Sequence, residues 1–206
     1  MSGVQLPTIR DCYSAEDVAH FYAAGWWRSE TMNDLVDEHA AKLGDQVFAS
    51  DRTTTLSFAQ LHDRSMRAAV GLRNAGVKPG DRVVVQMPNW TELIVAVAAV
   101  TRSSGVNVPV MPFYRHNEVA YVLEDCDAAA VIACESFYKH HYQNMYVDVL
   151  HTLGRSMPVF VTRSSGPSPH PSTPIRTNDS SLKNEIVHRQ NPQARRVRSR
   201  VVSFHD

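Results

Sequence analysis

Three consecutive valines, Val83, Val84 and Val85, constrain this chain more than any other feature. Side chains alternate faces along a strand, so an unbroken β-branched run asks for apolar cover on both faces, the environment of a parallel sheet between helices. The flanks agree with that reading. Lys78-Pro79-Gly80-Asp81 supplies a turn before the run and Pro88 stops it. Asn89, with Glu92 three residues on, offers a cap for a following helix. Leu93 to Val100 is apolar nearly all round, which predicts a deeply buried helix.

The same alternation extends in both directions. Upstream, Met32, Leu35, Val36, Ala40 and Leu43 recur at helical spacing between Ser29 to Thr31 and Gly44. A small hairpin follows, Val47 to Ala49 and Thr54 to Leu56 about the turn at Asp51 and Arg52. Ser57 and Gln60 then form a capping pair for a helix whose buried stripe is Phe58, Leu61, Ala68, Ala69 and Leu72, ending at Gly76. Downstream, the pattern predicts strands at 106–110, 129–133 and 158–161, and helices at 117–124 and 136–153. Strands alternating with helices at this spacing give an α/β fold with a largely parallel sheet flanked by helices.

The chain divides at two points. Residues 1–28 read as a lead-in, 29–162 as the α/β unit, and 163–206 as a basic, Pro/Ser-rich tail expected to be disordered. The net charge of zero hides an asymmetry: residues 1–162 carry 13 Lys/Arg against 18 Asp/Glu, and residues 163–206 carry 8 against 3. Cys12, Cys126 and Cys134 are too scattered for a disulfide scaffold or a zinc ribbon, which points to a reducing cytoplasm. The N-terminus has no apolar leader, and no apolar run is long enough to span a bilayer.

A series of small motifs carries a more specific signal. Thr55-Leu56-Ser57-Phe58-Ala59-Gln60-Leu61 is followed by Gly76-Val77-Lys78-Pro79-Gly80-Asp81-Arg82-Val83, then by Gln86-Met87-Pro88-Asn89-Trp90 with Glu92. Gly105-Val106-Asn107-Val108-Pro109-Val110 comes next, then Glu118 with Tyr121-Val122-Leu123. This order resembles the N-terminal region of the adenylate-forming superfamily, the acyl-CoA synthetases and stand-alone acyl or aryl adenylating enzymes. The lead-in Tyr22-Ala23-Ala24-Gly25-Trp26-Trp27 and Thr31-Met32-Asn33-Asp34-Leu35 is similar to the start of those proteins, and the likeness covers roughly residues 20–162.

The resemblance implies activation of a carboxylic acid by ATP and magnesium as an acyl-adenylate, then transfer to the thiol of CoA or a carrier. That chemistry requires a Ser/Thr/Gly-rich phosphate loop closed by a lysine, a ribose-binding carboxylate and a mobile catalytic lysine. In the family these lie beyond the matched region. The nearest stretch, Thr162 to His170, has no Thr-Thr-Gly and no closing lysine before Lys183, and reads as a linker. The resemblance therefore carries no catalytic, cofactor-binding or metal-ligating residue onto this chain. ATP, magnesium and CoA are cofactors of the full-length family only.

Other clusters have structural readings. Lys139, His140, His141 and His151 are expected on a helix surface without a complete ligand set. Asp125-Cys126-Asp127 reads as a helix end, and Ser57 with His62 and Asp63 as a cap beside two helix-surface residues rather than a triad. Trp26 and Trp27 are expected to anchor the lead-in on the core, and Tyr114-Arg115-His116 to support the sheet. For the arginine-rich stretch Gln193 to Arg200, a solvated tail, a patch for nucleic acid or an acidic surface, and out-of-frame translation all fit. The last is preferred, because family similarity stops and Arg, Pro and Ser richness begins at Arg163.

The resemblance thus implies a truncated N-terminal portion of an acyl-CoA synthetase-like ligase, not competent alone and placed in fatty-acid and lipid metabolism, with fatty, aromatic and alicyclic acids all open as substrate. The alternative is a non-enzymatic relic or interaction module whose basic tail contacts a partner. A relic of that kind would expose apolar faces and be molten.

Overall fold

The computed structural model describes residues 12–162 and the backbone of 201–203. The linker-like stretch 163–170 and the basic stretch 193–200 lie outside the described residues.

Five parallel strands form the central sheet: β3 (Arg82–Gln86), β4 (Val106–Pro109), β5 (Ala130–Cys134), β8 (Val159–Thr162) and β9 (Val201–Ser203). Their order is β4-β3-β5-β8-β9. In register, Val84 faces Val108 on one side and Val131 on the other, and Ile132 pairs with Phe160. The valine run is fully covered, as its composition predicts: Val83, Val84, Val85 and all of β5 are buried. β9 falls within the segment the sequence assigns to the tail and pairs with β8 at one edge of the sheet.

The crossovers explain which helix covers which face. The chain runs from β3 outward through α4 (Thr91–Arg102) to β4, then reverses through α5 (His116–Asp125) to β5 on the far side of β3. Parallel crossovers are right-handed, so this reversal puts α4 and α5 on opposite faces. From β5 the chain continues in the same direction through α6 (Tyr142–Thr152) to β8, which leaves α6 beside α5. On the α4 face pack α2 (Met32–Leu43) and α3 (Phe58–Asn74). A two-stranded antiparallel hairpin, β1 (Val47–Ser50) and β2 (Thr55–Ser57), joins them.

Local chemistry starts these helices where the sequence predicts. Thr31 and Asp34 form a capping box on α2, and Ser57 with Gln60 does the same on α3. One network ties all three helices of that face. The Arg102 guanidinium, with only 6 % of its side chain exposed, bonds Asp37 on α2 and donates to Ser65 Oγ on α3 at 2.9 Å. A charge this withdrawn from water is tolerated because its partners are in place.

Four expectations are corrected. Asn89 does not cap α4: the N-cap is Trp90, without a side-chain cap bond, and Asn89 is exposed. The cap comes from Asp51 in the β1–β2 turn, whose Oδ2 accepts from the Thr91 amide at 3.0 Å and from Thr91 Oγ1 at 3.3 Å. The helix expected over 136–153 is instead a hairpin, β6 (Ser136–Phe137) and β7 (His140–His141), followed by α6. Tyr138 takes φ +53° at the hairpin tip, which breaks the helical path before it starts.

The lead-in contains an unexpected helix, α1 (Ala15–Ala23), begun by a Ser14/Asp17 capping box that the sequence Ser14-Ala15-Glu16-Asp17 already spells. Finally, Trp26 and Trp27 do not anchor on the core. They join Tyr13, His20, Phe21 and Tyr22 in a cluster of their own with neighbouring ring centroids 5.0–6.1 Å apart, Trp26 stays 69 % exposed, and α1 buries no residue.

Candidate functional site

In open parallel sheets, ligands bind beyond the carboxyl ends of the strands where the strand order reverses. Here the reversal lies between β3 and β5, and three loops meet there: the one after β3, the one after β4 and the β6–β7 hairpin after β5. Their apolar side chains form a rim. Trp90 from the first loop stands edge-on to Phe137 from the hairpin at 5.7 Å, Tyr138 lies 4.3 Å beyond Phe137, and Phe113 from the second loop is 66 % exposed.

Beneath the rim runs a buried polar network. Gln86 closes strand β3 after its three valines and is wholly buried. Its Nε2 donates to the Met111 carbonyl at 2.9 Å and to the Tyr114 carbonyl at 3.2 Å, while its Oε1 accepts from Tyr146 Oη at 2.8 Å. Tyr142 Oη donates to the Pro112 carbonyl at 2.5 Å. Arg115 Nη1 donates to the Pro112 and Tyr114 carbonyls at 2.9 and 2.8 Å, its Nε donates to His140 Nε2 at 3.1 Å, and its guanidinium lies 5.9 Å over the Tyr142 ring.

Electrostatics fixes the roles of these groups. Burial pushes the Tyr146 phenol far above its ordinary value, with Cys134 and Tyr142 adding to it, so it remains a donor. Burial raises Tyr142 too, with Cys134 reinforcing it against Arg115. Burial pushes the Cys134 thiol up to about 12, outweighing the bond its own backbone offers. A thiol so disfavoured as thiolate is no nucleophile at neutral pH. The edge therefore presents aromatic faces and a guanidinium, above buried donors already committed to the loop carbonyls and to the Gln86 amide.

The residues singled out in the sequence fall at separate places. His140 and His141 sit on β7 and His151 in the last turn of α6; among the described residues no group of three or more His, Cys, Asp or Glu side chains converges as a metal site. Ser57 caps α3, while His62 faces Asp37 at 3.5 Å and Asp63 pairs with Arg67 at 3.1 Å. Asp125-Cys126-Asp127 is the end of α5, gripped by two arginines: Arg82 donates to the Cys126 carbonyl and Arg155 to the Asp127 carboxylate. Tyr114 and Arg115 support the sheet edge, and His116 lies 3.8 Å from Asp148. Tyr142 and Tyr146 were not singled out in the sequence and Gln86 only as part of a motif, although one amide closing a run of three valines is a visible signal.

The comparisons with known proteins agree on one group. The family model described as AMP-binding enzyme matches residues 36–197, running past Arg163, where the sequence alone ended the resemblance. A 2,3-dihydroxybenzoate-AMP ligase of Bacillus subtilis (strain 168) is 34% identical over 121 residues, 59% of this chain and 22% of that protein. A 2-hydroxy-7-methoxy-5-methyl-1-naphthoate–CoA ligase of Streptomyces carzinostaticus is 33% identical over 135 residues, 65% of this chain and 24% of that protein. The apo structure of Mycobacterium smegmatis MbtA superimposes with a TM-score of 0.63 at 28% identity, over 72% of this chain and 27% of that one. The chain thus spans about a quarter of the length of the relatives it matches.

Proposed function

Because the chain belongs to the AMP-binding enzyme family, we propose that its α/β unit serves ATP-dependent activation of a carboxylic acid to an acyl-adenylate, as the scaffold of an acid ligase rather than as its catalytic centre. The observation that carries this reading is the agreement of a long ordered sequence match, residues 36–197, with the parallel sheet and its flanking helices. The acid is aromatic in this reading rather than fatty, which the names of the dihydroxybenzoate and naphthoate ligases support.

In this reading the described residues do not suffice for adenylation by themselves. The side chains gathered at the sheet edge are an amide, two phenols, an imidazole and a guanidinium. The carboxylates beside them are single, Glu135 after β5 and Glu118 on the Arg115 amide at 3.0 Å, and among the described residues no group of ligands converges that fits the magnesium accompanying ATP. Nor does this set offer the run of backbone N–H groups closed by a lysine that a triphosphate requires.

Two measurements test the proposal. With ATP, magnesium and either 2,3-dihydroxybenzoate or a long-chain fatty acid, the purified chain is expected to give no ATP–pyrophosphate exchange above background; exchange would overturn its scaffold role. Residues 29–162 placed in the corresponding segment of the Bacillus subtilis ligase are expected to retain dihydroxybenzoate-dependent exchange. A chimera that folds, melts cooperatively and is inactive would remove the scaffold reading and leave the interaction module.

A further inference from the structure

The loop from Met111 to Arg115 has no regular structure of its own, yet side chains from two other elements hold its carbonyls. Gln86 on β3 takes those of Met111 and Tyr114, and Tyr142 on α6 takes that of Pro112. We propose that Gln86 is a positioning residue, a latch whose carboxamide fixes this loop and so sets where Arg115 stands at the carboxyl edge of the sheet. That this edge serves acid activation rests on the function proposed above; the latch itself does not.

The chemistry of the site requires a carboxamide. Two carbonyl oxygens face the end of β3 and need two N–H donors, while the Tyr146 hydroxyl needs an acceptor, and only Asn or Gln offers both on one planar group. Carbonyl oxygens cannot bond one another, so without the amide the Met111 carbonyl loses its side-chain donor from β3, and the loop is tied to that strand only through the Val110 amide on the Val85 carbonyl at 2.9 Å. Tyr146 orients the amide: its hydroxyl points at Oε1, which leaves Nε2 facing the loop. Arg115 then follows, because its own Nη1 bonds lie on the Pro112 and Tyr114 carbonyls that the latch and Tyr142 fix, and its Nε reaches His140 across the gap. The latch therefore spans β3, α6 and the β6–β7 hairpin, three elements meeting where the strand order reverses.

Gln86→Glu in the 206-residue chain tests the latch through a pH profile. An ionised carboxylate has no donor and repels both carbonyls; a protonated carboxyl can donate to one of them. Hydrogen exchange across residues 110–116, taken relative to wild type at each pH, is expected to be about tenfold faster near pH 8 and to return toward wild type near pH 5, with α3 and α4 unchanged. Equal loop protection at both pH values would overturn the proposal, as would a uniform loss of protection over the whole chain. Should that variant fail to fold, Tyr146→Phe decides. It removes only the hydroxyl that orients the amide, and is expected to speed exchange in the same loop independently of pH; unchanged loop exchange would overturn the latch.

Discussion

Asp51 does two jobs at once. Its Oδ1 accepts from the Thr53 and Thr54 amides at 2.8 and 2.9 Å to close the hairpin turn, and its Oδ2 caps α4. Burial alone would raise its carboxyl, but the amides of Thr91, Thr53 and Thr54 and the Thr53 hydroxyl outweigh that and hold it well below the usual carboxylate range. Asp51→Ala should lower stability by about 1–2 kcal/mol in urea unfolding at neutral pH, the cost of losing a helix cap. The sign of its pH dependence follows from the depressed folded value. The stabilisation is complete above the ordinary value of 3.8 and lost as pH falls below it, so wild type and variant should converge in acid and stay apart above about pH 5. A gap that persists unchanged below pH 4 would show that Asp51 acts by shape and not by charge. Ser57 and Gln60 were legible as a cap because both partners lie within one turn; Asp51 was not, because its partner is 40 residues away.

The elements show where local signals suffice and where they fail. Helices α2 and α3 stand where apolar spacing and capping pairs put them, since both signals come from residues within a few positions of one another. The β6–β7 hairpin escaped because its left-handed residue is Tyr138, with no Gly or Asn to mark the turn. The end of α4 shows a related substitution of roles. Ser104 takes φ +62° there, while the glycine next to it, Gly105, keeps ordinary φ but is tightly enclosed, since a Cβ would sit 3.2 Å from the Asp81 carbonyl oxygen and from the Ser103 hydroxyl. Ser104→Gly should therefore stabilise the chain by about 1 kcal/mol, and Gly105→Ala should destabilise it by about 1 kcal/mol or more. Thermal melts of the two variants should move in opposite directions; a loss of stability in Ser104→Gly would count against strain at that position.

Among the described residues of the molecule, the main apolar core runs from α3 and α4 through the sheet to α5 and α6, with β5 wholly inside it, and a smaller cluster of Leu56, Leu61, Val95 and Ala98 lies between β2, α3 and α4. A core this continuous should unfold as a unit, in contrast to the molten relic that the sequence left open. Far-ultraviolet circular dichroism and the fluorescence of Trp90, with Trp26 and Trp27 replaced by Phe, are expected to report one coincident transition, and Ile132→Ala to shift it by about 3–4 kcal/mol. Divergent transitions, or an insensitive Ile132, would mean the strands are not packed as a single body. The sequence by itself determined the class of fold, because period, capping and turn residues act over a few positions, and a run of three valines set among alternating helices asks for a covered parallel sheet. It also determined the family, through motifs kept in order along the chain. Only the tertiary structure decided that the strand order reverses between β3 and β5, and therefore that Gln86, Arg115, Tyr142 and Tyr146 meet at one edge. The physical reason is range: each of those contacts joins elements whose separation in sequence is set by nothing local, and whose meeting depends on which face each helix takes.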